Sequence, residues 1–266
     1  MKPSRRNRKV VFPVLLLASV CLSYATLLAI IWDTRTELTV RSEALGEVRK
    51  ITVFGVSGGD APTVAIYALD GEKHRHALLP AAHSALISWV GGNTQPLFVA
   101  IHEQGRREED FRPSKVQPAS WRPNIAGRSA AFDLFLLNEA RSKIERRFGR
   151  SERRYLFGHS LAGFYALDMP TRQPQHGFNG IFAFSPTFGQ DLSLLSRLTK
   201  ICRNSNVYAN IGFESSRDTA VFDVAEKKFH GTAMCRGNVQ LARHFGIIHQ
   251  FIMLTGQVAA LRQILR

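Results

Sequence analysis

From Val10 to Trp32 the chain runs for 23 residues without a charge, enough for a helix to cross the hydrocarbon of a bilayer. Pro13 sits near the start of that run, where a helix tolerates proline. Beyond Trp32 the pattern changes. Short apolar, β-rich runs alternate with longer amphipathic ones, the arrangement of a mostly parallel sheet covered by helices. The runs predict strands at Arg49–Val56, Thr63–Leu69, Leu97–Ile101, Tyr155–Phe157, Gly180–Phe184, Val207–Ile211 and Val239–Phe245. Helical spacing predicts helices at Ala130–Phe148, Leu161–Met169, Ala220–His230 and Gly256–Leu265. No internal repeat is visible. The expected organisation is a basic n-region at 1–9, a membrane segment at 10–32, a linker at 33–48 and one α/β domain at 49–266.

Charge sharpens this picture. The chain of 266 residues carries 35 Lys and Arg against 21 Asp and Glu, a net +14. Lys2, Arg5, Arg6, Arg8 and Lys9 precede the uncharged run and no acid accompanies them. Such a cluster stays cytoplasmic and sends the rest of the chain across the membrane. It also leaves the remainder with 30 bases against 21 acids, a net +9. That is basic without being extreme, and no DNA- or RNA-binding motif is present, so no nucleic-acid partner is expected. Ser23-Tyr24-Ala25 offers a small-residue cleavage site, but the apolar residues after it make the run longer than a signal-peptide core. An uncleaved anchor and a cleaved signal both stand, with length favouring the anchor. Cys21 reads as an apolar residue of the span, because Val20 stands where lipidation requires a small residue. In the basic run Arg141–Arg154, Arg146 and Arg147 suit the end of a helix, with Gly149 as its stop; contact with anionic lipid is the other reading.

The chemistry is concentrated in Tyr155-Leu156-Phe157-Gly158-His159-Ser160-Leu161-Ala162-Gly163-Phe164. A short strand enters a turn at a serine and an apolar helix leaves it, the pattern of a nucleophile elbow. Small residues are needed two positions either side of the serine, because the turn brings backbone close to backbone there. The serine is then lifted to the N-terminus of a helix, where the Leu161 N–H can face an oxyanion. A serine nucleophile needs a base and an acid to orient the base. In this chain order both come after the serine, which leaves His176, His230, His244 and His249 as bases. His249 lies past the last strand and before the last helix, where a catalytic loop belongs. Glu214 and Asp218 in the loop after Val207–Ile211 are the acids, with Asp191 a third; Asp218 also suits an N-cap.

These residues together resemble the Putative esterase family of α/β-hydrolases, which includes esterase D-like enzymes and enterobactin-type siderophore esterases. The resemblance covers residues 50–265 or so. Ala65-Ile66-Tyr67-Ala68-Leu69-Asp70-Gly71 is similar to the family's strand ending in Leu-Asp-Gly. Arg107-Glu108-Glu109-Asp110-Phe111-Arg112-Pro113 is similar to its Arg-x-x-Asp-aromatic-x-Pro loop. Arg154 to Gly163 matches its elbow, and Val239 to Phe251 its final strand and His loop. The resemblance implies an α/β-hydrolase fold with Ser160 as nucleophile, His249 as base and Glu214 as acid. It also implies an oxyanion hole from the Leu161 and Gly71 amides. His249-Gln250-Phe251 and Ser185-Pro186-Thr187-Phe188-Gly189 depart from the family's usual motifs and bear on the substrate.

The expected protein is a serine esterase acting on a small-molecule ester through an acyl-enzyme. The resemblance to siderophore esterases implies a catecholate lactone as one candidate substrate, an anionic ligand that a +9 domain attracts, and leaves the particular ester open. Arg107, Arg112 and His159 are candidate substrate contacts, the two arginines in a loop at the sheet edge where ligands bind; pairing of these arginines with Glu108, Glu109 and Asp110 is the other reading. No metal and no cofactor are implied, and Cys202 and Cys235 could pair in an oxidising compartment or remain thiols. An acyltransferase on the same triad and an inactive hydrolase-fold binding module are the alternatives.

Overall fold

The structure is a computed structural model that describes residues 5–55, 61–92, 95–114, 126–214, 216–235, 237–249 and 252–265, with the side chains of residues 5–16, 213, 217, 245 and 254 left aside. Eight strands form one sheet. They are β1 (Thr36–Ser42), β2 (Glu47–Phe54), β3 (Val64–Ala68), β4 (Leu97–Ile101), β5 (Arg153–His159), β6 (Gly180–Phe184), β7 (Asn206–Phe213) and β8 (Val239–Ile248). Their order is β1-β2-β4-β3-β5-β6-β7-β8. β1 and β2 are antiparallel to their neighbours, and β3 to β8 run parallel. β3, β4 and β6 are buried at every residue, as expected of parallel strands covered on both faces.

The helices are α1 (Arg5–Asp33), α2 (Leu78–Gly91), α3 (Arg107–Phe111), α4 (Ser129–Leu134), α5 (Arg141–Phe148), α6 (Leu161–Arg172), α7 (Leu194–Arg197), α8 (Ser216–Gly231) and α9 (Ile252–Ile264). α4 and α5 are joined by a π-helical segment, Phe135–Ala140, so the single expected helix at 130–148 contains a wider turn. One apolar core packs α4 to α6 and α8 on one face of the sheet, around Phe132, Phe135, Leu136, Phe164 and Phe222. The second packs α2, α9 and the end of α1 on the other, around Ile66, Phe157, Phe184, Ile252 and Leu261. α6 is buried from Leu161 to Pro170, the all-round burial of a central helix.

Residues 33–48 are not a linker. β1 lies within them and pairs along its length with β2. It escapes the apolar-run reading because Thr-Glu-Leu-Thr-Val-Arg-Ser alternates, with Val40 and Ser42 inward and Glu37, Thr39 and Arg41 outward, as an edge strand with one wet face should. The expected membrane segment falls inside α1, whose last turns also belong to the fold: Ile31 is 6% exposed. Among the described residues no helix is long and apolar enough to cross a membrane. The basic run Arg141–Arg154 is partly taken up by the protein itself. Arg141 donates to the His176 carbonyl at 2.7 Å, and Arg154 pairs with Glu145 at 3.4 Å.

Cys202 and Cys235 form a disulfide across a sequence separation of 33. Closing a loop of that length restricts the unfolded chain by about 3–4 kcal/mol. Replacing both with Ala should lower the melting temperature by about 10 °C in a chain of this size, read by circular dichroism. An unchanged melting temperature would refute a stabilising bridge.

Candidate active site

Six parallel strands end on one edge of the sheet, and the loops leaving four neighbours, β5 to β8, converge there. At the end of β5 the chain turns through Ser160, at φ 59° and ψ −120°, and enters α6 at Leu161. A non-glycine residue at positive φ is strained and held by its surroundings. Here the Ser160 N–H donates to the Phe184 carbonyl at 2.9 Å, and its carbonyl accepts from the Phe164 and Thr187 amides. The small residue before the serine is obligatory: a Cβ on Gly158 would lie 2.2 Å from the Ala162 carbonyl oxygen. The first bond of α6 runs from the Phe164 N–H to the Ser160 carbonyl, so the Leu161 amide is one of the orphan donors of a helix start.

Glu214 comes directly after β7, and His249 directly after β8. His249 Nδ1 stands 2.8 Å from Glu214 Oε2. The other Glu214 oxygen accepts the hydroxyl of Ser185, the first residue after β6. Burial alone pushes the Glu214 carboxyl up, but the hydrogen bonds from His249 and Ser185 outweigh it and hold the group below the usual carboxylate range. Glu214 is therefore ionised at neutral pH, and the imidazole turns its Nδ1 proton toward it and leaves Nε2 open as a base. Gly212 makes room for this pairing at the irregular register of β7 and β8: a Cβ there would lie 2.1 Å from the Ile247 carbonyl oxygen. Gln250 and Phe251 lie outside the described residues.

The competing candidates are engaged elsewhere. Asp191 accepts from Ser193 and pairs with Arg197. Asp218 lies in the first turn of α8, where a negative charge suits the helix dipole. His176 is buried and accepts the Phe178 amide at 3.0 Å. His230 closes α8, and His244 lies inside β8.

The three expected substrate contacts are all bonded within the protein. His159 is buried at 4% exposure and donates from Nε2 to the His249 carbonyl at 2.8 Å. A carbonyl only accepts, so this bond sets the His159 tautomer. Burial, with His76 beside it, lowers the ring to about 3, so it stays neutral and ties the His249 loop to the elbow. Arg112 is 4% exposed and pairs with Glu108 at 2.7 Å. Arg107 grips Asp70 with two bonds of 2.6 and 3.1 Å and donates to the His159 carbonyl at 3.0 Å.

Gly71 does not offer its N–H to the site, because that N–H donates to the Ile101 carbonyl at 2.8 Å. Its lack of a side chain serves close approach: a Cβ would lie 2.6 Å from the Ala100 carbonyl carbon. The next amide, Glu72, has no acceptor among the described residues. Asp70, at φ 58°, shapes this turn. Burial raises its carboxyl, and His76 and Arg107 more than reverse that, holding it far below the ordinary value. Nearby, burial together with Glu72 and Asp70 pushes Glu103 up to about 9, so it carries no charge against the turn at neutral pH. Sequence reasoning missed Ser185 and Asp70 as site residues. Both lie inside family-like motifs, Ser185-Pro186-Thr187 and Leu69-Asp70-Gly71, and that was the signal available for them.

This sheet order, the helices on both faces and the strand–serine–helix turn define an α/β-hydrolase fold. Residues 42–221 match the model of the family described as Putative esterase. That is more than half of the chain, and the chain belongs to this family, which makes ester hydrolysis its class of activity. No curated protein sequence matches the chain. Among solved structures it is similar to the BES protein from Bacillus cereus, with a TM-score of 0.73 and 19% identity over 87% of this chain and 95% of that one. It is also similar to an IroE-like serine hydrolase from Shewanella oneidensis, with a TM-score of 0.71 and 16% identity over 87% and 80%. The siderophore hydrolase EstB from Aspergillus nidulans gives a TM-score of 0.66 and 17% identity over 87% and 95%.

Proposed function

We propose that the protein is a serine esterase of the siderophore type, held at a membrane by its N-terminal segment with the catalytic domain on the extracytoplasmic side. The observation that carries the catalytic reading is the 2.8 Å contact of His249 with Glu214, made from neighbouring strand ends beside a strained serine elbow. Ser160 Oγ attacks the ester carbonyl while His249 Nε2 takes its proton, and Glu214 steadies the imidazolium. The Leu161 amide, with Glu72 in the place expected of Gly71, receives the negative oxygen. The proton then passes to the leaving alcohol, and water repeats the sequence on the acyl-enzyme. Ser160 Oγ makes no hydrogen bond to a described residue, and in such sites the contact between nucleophile and base closes with substrate.

An anionic catecholate lactone is the proposed substrate. It suits the +9 of residues 10–266, and two of the similar folds are an IroE-like hydrolase and a siderophore hydrolase. Membrane attachment is supported by the uncharged run Val10–Trp32 behind a basic cluster. The disulfide suits an oxidising compartment. A fluorophosphonate probe on the full chain should label the peptide containing Ser160, and a catecholate trilactone should be hydrolysed. No labelling at Ser160 overturns the nucleophile; cleavage of short acyl esters with the lactone untouched overturns the substrate.

A further inference from the structure

α2 carries no charged residue between Leu78 and Gly91. One side is spent on the core, with Leu78, Ala81 and Ala82 buried. The other leaves Leu86 at 41%, Trp89 at 81% and Val90 at 74% exposed. Their i, i+3, i+4 spacing makes one stripe at the end of the helix. Single exposed apolar residues are ordinary, but a contiguous patch marks a contact surface.

α1 lies beside this stripe. The Trp32 ring is 5.0 Å from that of His74, in the turn before α2. The Tyr24 hydroxyl is 3.0 Å from Nε2 of His83, in the middle of α2; Nδ1 of the same ring is 2.9 Å from Gln257 of α9. Val20 and Leu27 share a cavity of about 280 Å³ with Leu86. These contacts show α1 running antiparallel to α2, so the residues before Ser19 continue past the end that bears Trp89 and Val90. α2 itself starts from the Asp70–His76 turn, on the Ser160 edge of the sheet, and ends about 20 Å away at the opposite edge.

We infer that a phospholipid bilayer covers this far end. Leu86, Trp89 and Val90 enter its surface beside the emerging α1, and the mouth at Ser160 faces away from the lipid toward the aqueous phase. The inference rests on the reading of the N-terminal segment as a membrane anchor, narrows the embedded part to the residues before Ser19, and adds an orientation and a second point of contact. Lipid fits better than a protein partner for a chemical reason. Neither Val10–Trp32 nor Leu78–Gly91 contains a charged residue, whereas protein interfaces are rimmed by polar groups. α1 exposes Leu17, Val20 and Leu22 near the same end as well. An indole at the edge of such a surface belongs at headgroup depth.

The test uses the full chain carrying Trp32→Phe and Trp121→Phe, so that Trp89 is its only indole. It is incorporated into vesicles of phosphatidylcholine and phosphatidylglycerol with or without brominated acyl chains. Brominated lipid should quench more than half of the Trp89 emission. The difference between the unsubstituted chain and Trp89→Phe gives the same quantity if the double variant does not fold. Flotation of the vesicles reads attachment separately. Flotation with Trp89 unquenched overturns the inference and leaves the membrane segment standing; failure to float overturns both. Unquenched Trp89 together with a dimer that Trp89→Asp dissociates would overturn it in favour of a second copy of the chain on the stripe.

Discussion

Exchanging Ser160 for Ala should lower ester turnover by on the order of 10⁵–10⁶-fold, the cost of removing a nucleophile from a triad. The expected melting temperature is unchanged, because Ala meets the same backbone conformation at φ 59° that Ser does. Ser160→Gly separates chemistry from strain. It should lose the same activity yet melt higher, by roughly 1 kcal/mol of stability, since glycine takes this φ without penalty. His249→Ala should cost about as much as Ser160→Ala, and the double variant no more than either, because the two act as a unit. Glu214→Gln keeps the shape but loses the charge that holds the imidazole, and about a 10⁴-fold loss is expected. The measurement is steady-state hydrolysis of a p-nitrophenyl ester by the full chain. Turnover within tenfold of wild type in Ser160→Ala would end the assignment.

The second large effect is expected away from the reacting atoms. Arg107→Met removes three hydrogen bonds at once, two to Asp70 and one to the His159 carbonyl. Asp70 is fully buried and, among the described residues, then keeps Lys73 at 3.4 Å and His76 at 3.3 Å. Stranding a buried carboxylate in this way costs roughly 3 kcal/mol, which chemical denaturation would read. The guanidinium also joins the Asp70 turn to the residue just before Ser160, so its loss lets the two halves of the site drift apart. Misplacement of that kind costs about 10²-fold in kcat, with KM little changed. Arg107→Lys restores a charge but not the two-pronged grip, and should recover part of the stability and less of the rate. That outcome would make Arg107 a positioning residue. Had it bound substrate, as its sequence position suggested, KM would rise with kcat held.

The contrast between Ser160 and Arg107 marks how far sequence carries. The elbow was legible because its requirements are local. A strand, two small residues around a serine and an apolar helix lie within about ten positions, and backbone sterics alone demand them. The parallel strands were legible as short apolar runs, and His249 by its place after the last of them. β1 was missed because an edge strand alternates. α2 was missed because its apolar residues surround it on nearly all sides, which blurs the period that identifies a helix.

Sequence by itself determined the fold class, the strand–serine–helix turn, a short set of candidate acids and bases after it, and the division of charge between the N-terminal cluster and the rest. The tertiary structure decided what each candidate does. Glu214 rather than Asp218 or Asp191 meets His249, because sheet order sets β7 beside β8. Arg107 and His159 turn inward to the protein, Gly71 gives its amide to Ile101, and α1 docks on α2. Local sterics and hydrophobic period are written in neighbouring residues; the partner of a buried charge or an unpaired amide is chosen only when strands distant in sequence are brought side by side.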